Sequence, residues 1–537
     1  MFVLPSFLFK KPLPAFMSRI SLRAKLVCTL SILSLTMAPH LNAQSSTQPD
    51  SSAILPHRYI VVYRNATVPG DAEVRVRSAG ARLLQRHERF GIASVQSLSS
   101  TLDEDDAATM RRLSAQPNVE YVLHDRIVTA HQLHIQPILQ PTFSVVIGDH
   151  PSPPPYDTFY TTSPQGWAVQ QVGGYGKNVP GGPAHGPWDT TLGKGVRIAI
   201  LDSGVDANHP DIAPNLSLNL TEIDQTDLPS PCDDGTPQDQ QGHGTWTASL
   251  AAAALGPGTG QVVGVAPAAT LLNIKVLQRM PASIPGNAVT IASRCAAGQA
   301  SGLLSWVIQG IEDAIANHAD VISLSLGTII DLTTGEGAGL KAAFDSVTYA
   351  AMQSGVILVA AAGNDGYDLS NPRYIEIPAQ SRGVLAVAAS TNPACAQNSA
   401  AGATCAPGPV SLAYYSNYGA PLNALAAPGG SYPSGDNLAV SGWVRGACSS
   451  GKPSTDDGPP TDSSHSLGCF SLGHTRYVQA IGTSAAAPLA AGVAALLRAA
   501  HPTWDAVHII ATMRSSAVPS PQLPVPQVNA ASALTAP

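Results

Sequence analysis

Charge is scarce in this chain: 12% of its 537 residues are charged, the formal net charge is -7, and no run is rich in lysine and arginine. Gripping a phosphate backbone takes a basic stripe, so nucleic acid is not expected as a partner. The apolar stretch Leu26 to Met37 is about a dozen residues long, well short of the ~20 that a spanning helix needs, which argues against a stable membrane anchor. Cysteine is sparse too. The seven cysteines include no Cys-x-x-Cys pair, and no histidines cluster at ligand spacing, so a zinc site has no support.

What is present is apolar residue, glycine and proline: 44% of the chain is hydrophobic, with 47 Gly and 45 Pro. That composition builds a large core joined by many loops, and the length accommodates an α/β enzyme with a small accessory domain. Arg19, Arg23 and Lys25 precede Leu26 to Met37, and Leu41-Asn42-Ala43 offers a cleavage site. Residues 1–43 therefore read as a signal peptide, and the protein is expected to be secreted, in the periplasm or outside the cell. Cys28 lies within that segment. The remaining six, Cys232, Cys295, Cys395, Cys405, Cys448 and Cys469, allow fifteen pairings in an oxidising compartment. Nearest-neighbour pairing joins 395 to 405 and 448 to 469, leaving 232 with 295.

Residues 44–130 contain a compact α+β pattern. Strand-like Arg58 to Tyr63 and Ile92 to Val95 precede helical Ala107 to Leu113, and Val119 to Leu123 closes the unit. Residues 131–165 are Pro-rich, with Pro151, Pro153, Pro154 and Pro155 close together, and extend as a linker would. Over 166–537, apolar β-prone runs alternate with helical stretches: Val196 to Leu201, Leu271 to Leu277, Val321 to Leu326, Val356 to Ala361 and Val384 to Ala388. Strands that lack in/out alternation are buried on both faces. The fold class is accordingly α/β, a parallel sheet covered by helices on both faces.

Ligands of such sheets bind beyond the carboxyl ends of the strands. There, Val196 to Leu201 runs into Asp202-Ser203-Gly204; Gly242-His243-Gly244-Thr245 opens an Ala-rich helix; and Gly482-Thr483-Ser484 precedes the apolar segment Leu489 to Leu497. Each alone has an ordinary explanation: a turn, a structural histidine, a helix N-cap. Together, in the order Asp, His, Ser, they form a nucleophilic set. A serine hydroxyl needs a base to take its proton, a histidine serves at neutral pH, and a carboxylate orients the imidazole.

These motifs, with Gly264-Val265-Ala266-Pro267, Ser323 to Gly327, Ala361-Ala362-Gly363-Asn364 and Pro428-Gly429, resemble the subtilisin family from about Gly195 to Pro502. The resemblance implies a serine endopeptidase with Asp202, His243 and Ser484 as its triad and Asn364 as an oxyanion donor. It places substrate backbone against Ser301, Gly302, Leu303, Ser325, Leu326 and Gly327, beside Ala361 and Gly363, in a strand-addition mode. Residues 44–130 resemble the inhibitory propeptide of these enzymes, so the protein's own propeptide is an expected inhibitor and folding aid, with maturation cleavage inside 131–165. Protein and peptide substrates and a monomeric enzyme follow.

Several positions depart from the family pattern. Ala485 stands where Met is usual, Leu489 where His is usual, and Trp246-Thr247 where His-Val is usual, so Trp246 is expected to reshape a binding pocket. No acidic residue is placed by motif to receive a basic side chain, which predicts an apolar-leaning specificity. The chemistry requires no cofactor or metal. Asp211 matches a family calcium ligand and leaves room for a structural calcium, although the usual Asn ligand is missing near Leu255 to Gly260. Asp233-Asp234 and Asp456-Asp457 read as solvated loops. A catalytically silent binding protein and a lipase are the competing classes. The intact motifs oppose the first, and the absence of a Gly-x-Ser-x-Gly elbow opposes the second.

Overall fold

The computed structural model describes residues 54–98, 103–131, 134–137, 157–161, 166–176, 185–256, 259–283, 290–392, 410–431, 442–451, 468–470, 472 and 475–536. The segment read as a signal peptide, most of the Pro-rich stretch, Cys395, Cys405, Asp456 and Asp457 lie outside them.

Seven strands pair in parallel in the order Leu216–Thr221, Thr270–Lys275, Arg197–Asp202, Val321–Leu324, Ile357–Ala361, Val384–Thr391 and Leu425–Pro428. Ser411–Leu412 joins one strand antiparallel. Side chains alternate between two covered faces. Ile198, Ile200, Ile357, Val359 and Val387 pack with the helices His243–Ala252 and Thr483–Ala500, whereas Ala199, Leu201, Ile322, Leu358 and Ala386 pack with Leu304–Ala316 and Gly335–Gln353. The α/β class read from the unbroken apolar runs holds, because only burial on both sides makes such runs favourable. Two strands escaped that reading. Leu216–Thr221 alternates as a half-exposed edge, and Leu425–Pro428 ends in proline.

Helix Thr483–Ala500 is apolar enough by composition to span a membrane, but 83% of it is buried in the protein, so it is the core helix. The run Val321 to Leu326 does not continue as one strand. It breaks at Ser325, and Leu326–Asp331 leaves the parallel sheet to pair elsewhere.

The amino-terminal unit is an antiparallel sheet of Ala81–His87, Ile92–Ser97, Ile54–Tyr63 and Val119–Ala130 with the helices Ala72–Ser78 and Asp103–Ser114. Strand Ile54–Tyr63 again uses both faces. Tyr59, Val61 and Tyr63 point into the unit's own core with Val76 and Leu113, while Ile60 and Val62 join the cluster containing Leu304, Trp306, Leu340 and Phe344 of the body. Buried Arg58 bridges the two parts, its guanidinium 2.9 Å from Asp125 and 2.8 Å from Asp227. Apolar burial plus a compensated ion pair holds the unit on the two helices.

Cys232 is bonded to Cys295 and Cys448 to Cys469, in agreement with the nearest-neighbour pairing for those four. Asp233 is not a solvated loop residue. It is buried and accepts from the Lys275 ammonium at 2.8 Å, which neutralises it.

Candidate active site

Asp202 ends a central parallel strand, and its carboxylate is held from two sides: Ser203 N–H donates to Oδ1 at 2.7 Å and the Thr247 hydroxyl to Oδ2 at 3.1 Å. His243 begins the helix His243–Ala252, and its Nδ1 lies 2.7 Å from Asp202 Oδ1. A carboxylate there keeps the proton on Nδ1 and leaves Nε2 as the basic nitrogen. Nε2 makes no hydrogen bond among the described residues.

The helix start is built around buried Asp239. It accepts from the N–H groups of Gln241 (3.0 Å), Gly242 (2.7 Å) and Thr245 (2.9 Å), from the Thr245 hydroxyl at 2.6 Å, and from the Ser203 hydroxyl at 2.9 Å. Those otherwise unpaired amides are satisfied by one carboxylate, and burial pushes its pKa above the usual range. Gly242 has φ +110° and a Cβ there would sit 2.8 Å from Phe470 N and 2.9 Å from Cys448 Sγ, so only glycine fits. Replacing Asp239 by Ala strands those donors. The expected cost is about 1–3 kcal/mol, read as a lower Tm in an inactive Ser484→Ala background; an unchanged Tm would show the network to be dispensable.

Trp246 does not shape a pocket. It is fully buried, edge-on to His243 with ring centroids 5.9 Å apart, and packs behind the imidazole against Phe470. Position 246 sits one turn along an inward-facing helix, so the larger ring is accommodated in the core.

Ser484 is the second residue of the helix Thr483–Ala500, whose first amides have no partner within the helix. Pro488 lacks the N–H that would have bonded the Ser484 carbonyl. The Ser325 hydroxyl donates to that carbonyl instead, at 3.0 Å, tying the helix start to the strand break. Asn364 follows the strand Ile357–Ala361. Its Oδ1 accepts from Thr483 N–H at 2.9 Å and the Thr483 hydroxyl at 2.8 Å, so its Nδ2 is aimed away from them.

What Nδ2 meets is the end of the amino-terminal unit. Strand Val119–Ala130 runs between two body strands: Ile127, Val128 and Thr129 pair with Leu303, Gly302 and Ser301, and Thr129 and Ala130 with Gly327 and Leu326. His131 N–H then donates to the Ser325 carbonyl at 3.0 Å. The His131 carbonyl oxygen accepts from Asn364 Nδ2 at 2.5 Å, from Ser484 N–H at 3.4 Å and from the Ser484 hydroxyl. Three residues further on, His134–Pro137 pairs antiparallel with Val478–Ile481. The His131 carbonyl oxygen thus lies among donors that include the Ser484 hydroxyl, with strand pairing before it and again from His134.

Of the residues predicted to bind substrate, Ser301, Gly302, Leu303, Ser325, Leu326 and Gly327 line this strand. Ala361 does not; it is buried and pairs with Val387 in the parallel sheet. Gly363 and Gly327 flank a residue that no motif revealed, Glu376 of Tyr374–Ile377: a Cβ on Gly363 would lie 3.2 Å from Glu376 Oε2, and one on Gly327 2.1 Å from Oε1. Glu376 is fully buried, with Oε1 3.1 Å from Nε2 of His131. An acidic group therefore lies where the His131 side chain enters, contrary to the apolar-leaning expectation. Its faint signal was a lone acid within the apolar run Tyr374 to Ile377.

Asp211 accepts from the N–H groups of Gly260, Gln261 (3.2 Å) and Val262 (3.4 Å) and from the Tyr477 hydroxyl at 3.1 Å. Calcium takes six to eight oxygen ligands. A carboxylate already turned toward N–H and O–H donors does not fit that role as it stands.

Residues 193–532 match the sequence profile described as the subtilase family. Over 408 residues the chain is 28% identical to Subtilisin-like protease 9 of Arthroderma otae, covering 73% of this chain and 79% of that protein. Identity to Subtilisin NAT of Bacillus subtilis subsp. natto is 31% over 327 residues, 60% of this chain and 61% of the relative. In fold, it is similar to the crystal structure of fervidolysin from Fervidobacterium pennivorans, a keratinolytic enzyme related to subtilisin, with a TM-score of 0.58 at 19% identity over 91% of this chain and 62% of that one. The epidermin leader peptide processing serine protease of Staphylococcus aureus matches at TM-score 0.57 and 18% identity, over 89% and 98%.

Proposed function

From the premise that the chain belongs to the subtilase family and is a serine protease acting on proteins, we propose that it is an exported, monomeric endopeptidase made as a precursor that cuts itself after His131. The observation that carries this reading is the His131 carbonyl, held by Asn364 and Ser484 with paired strands on either side. For attack, Ser484 Oγ turns from the carbonyl oxygen to the carbonyl carbon while His243 Nε2 takes its proton. Asp202 stabilises the imidazolium. Asn364 Nδ2 and Ser484 N–H, at a helix start, carry the charge on the oxygen. His243 then protonates the leaving amine, giving an acyl-enzyme on Ser484 that water hydrolyses. No step is routed through a metal.

The released unit ends at His131 still paired as a product strand, which accounts for a propeptide acting as inhibitor; other substrates would take the same place. The body's parallel sheet rests on non-local pairings that form slowly, so a preformed docking surface would also aid folding. N-terminal sequencing of the mature protein should begin immediately after His131, a fluorophosphonate should label Ser484, and casein rather than a short-chain ester should be the better substrate. Absence of labelling and turnover would favour the silent binding protein.

The propeptide contact carries a pH dependence with a defined sign. His124 Nδ1 lies 3.1 Å from Glu336 of the body and its Nε2 2.8 Å from Asp106. The Glu336 bond, against the opposing effect of burial, holds the His124 pKa above its ordinary value. A group raised on docking stabilises the complex below its free pKa, and that contribution is lost as pH rises through the raised value. Inhibition by residues 44–131 added in trans should therefore weaken by roughly threefold or more between pH 6 and pH 8.5, and His124→Gln should reduce that slope, leaving the share carried by His131 beside Glu376. An equal slope in both forms would remove His124 from the docking linkage.

A further inference from the structure

Within this reading of His131 as the residue whose carbonyl is attacked, the pocket that takes its side chain is unusual in holding a buried acid. Glu376 is fully buried on the strand Tyr374–Ile377, and neither carboxyl oxygen makes a hydrogen bond among the described residues. The N–H of Glu376 is occupied by the Gln380 side chain at 2.8 Å, which fixes the backbone but leaves the carboxylate uncompensated. The cation within reach is the His131 imidazole, 3.1 Å from Oε1. Burying a charge without a partner is costly, whereas a pair that excludes water is strongly favoured over the unpaired acid.

Glycine makes the approach open. A Cβ on Gly327 would lie 2.6 Å from His131 Nε2 as well as 2.1 Å from Glu376 Oε1, so any other residue there would fill the space between strand and carboxylate. We propose that Glu376 is the specificity-determining residue of this protease, making it select histidine on the acyl side of the cleaved bond, in its own precursor and in protein substrates. Leucine in the same place would bury the carboxylate against hydrocarbon and leave it unpaired.

The electrostatic surroundings agree. Burial disfavours the imidazolium, but attraction to Glu376 and, more weakly, Asp365 outweighs it and raises the His131 pKa. Burial pushes Glu376 up to about 7 against the pull of His131, with Asp365 adding to the rise. Because His131 is raised in the pocket, the pair loses its cation as pH rises through the raised value, and because Glu376 is itself pushed up to about 7, it loses its anion at lower pH, so the pairing is strongest near neutral pH.

The test uses the mature enzyme and two otherwise identical peptides with His or Leu at the acyl position. At pH 7 the wild type should favour His by about 10- to 100-fold in kcat/KM, the ratio should fall toward pH 9, and Glu376→Gln should bring it to about 1 or below. If Glu376→Gln fails to mature, the wild-type ratio and its fall with pH still decide. In the precursor, His131→Leu should slow self-cleavage at least tenfold, and Glu376→Gln combined with His131→Leu should recover part of that loss. A wild type that prefers Leu, or a ratio that Glu376→Gln leaves unchanged, overturns the proposal while the peptidase assignment stands. No turnover of either peptide together with no fluorophosphonate labelling overturns both.

Discussion

A Ser484→Ala precursor is expected to stay whole, with residues 44–131 still attached, and peptide turnover should fall on the order of a million-fold. In the proposed mechanism the hydroxyl is the attacking group, yet it contributes little volume to the buried start of the helix Thr483–Ala500. Its loss removes the bonds to the His131 and Ser325 carbonyls. The contacts that seat the amino-terminal unit remain: the pairing of Ile127 to Ala130 with Ser301 to Leu303 and Leu326–Gly327, the Arg58–Asp227 ion pair, and Asn364 on the carbonyl oxygen. Intact mass of the protein produced in a host lacking other proteases is the measurement. Maturation at the normal rate in that host would mean that Ser484 does not cut the bond after His131.

Asn364→Leu should lower kcat by about 100- to 1000-fold with little change in KM, because a donor acting on a developing negative charge matters most in the transition state. Asn364 Nδ2 is the nearer donor to the His131 oxygen, at 2.5 Å against 3.4 Å for Ser484 N–H. Its amide is locked by the two Thr483 bonds, so no reorganisation is needed as charge develops. Leucine keeps the shape and loses the donor. Thr483 then has a hydroxyl and an N–H to satisfy elsewhere, and a Tm measured alongside kcat separates that structural cost from the chemical one. A fall in kcat of less than about threefold would take Asn364 out of the oxyanion site.

The Asp211 and Trp246 readings show where motif matching stops. Both residues stand at positions that the resemblance endows with a role, a calcium ligand and a pocket wall. In the fold, Asp211 accepts loop amides and Trp246 fills the core behind His243. Spacing along a chain says which element a residue is on. Which way its side chain points depends on neighbours that come from distant segments: Gly260 to Val262 and Tyr477 for Asp211, Phe470 for Trp246. Asp239 was silent for the same reason, since a carboxylate three residues before Gly242 becomes a cap only when the chain turns there.

The buried runs ending at Asp202 and near Asn364 could be read directly, because a parallel sheet buried on both faces tolerates only unbroken apolar strands and delivers their ends to one edge; the break at Ser325 could not, since Val321 to Leu326 reads as a single run. The sequence by itself thus determined the α/β class and the chain order Asp202, His243, Asn364, Ser484, while the segments assigned to substrate came from the family resemblance. Only the tertiary structure decided that His131 occupies that edge, that Glu376 waits beneath it, and that Ala361 stands apart in the sheet. Local patterns record burial and periodicity within one segment, whereas the pairing of His131 with Glu376 joins positions 245 residues apart (376 minus 131) and exists only once strand Val119–Ala130 has docked between two others.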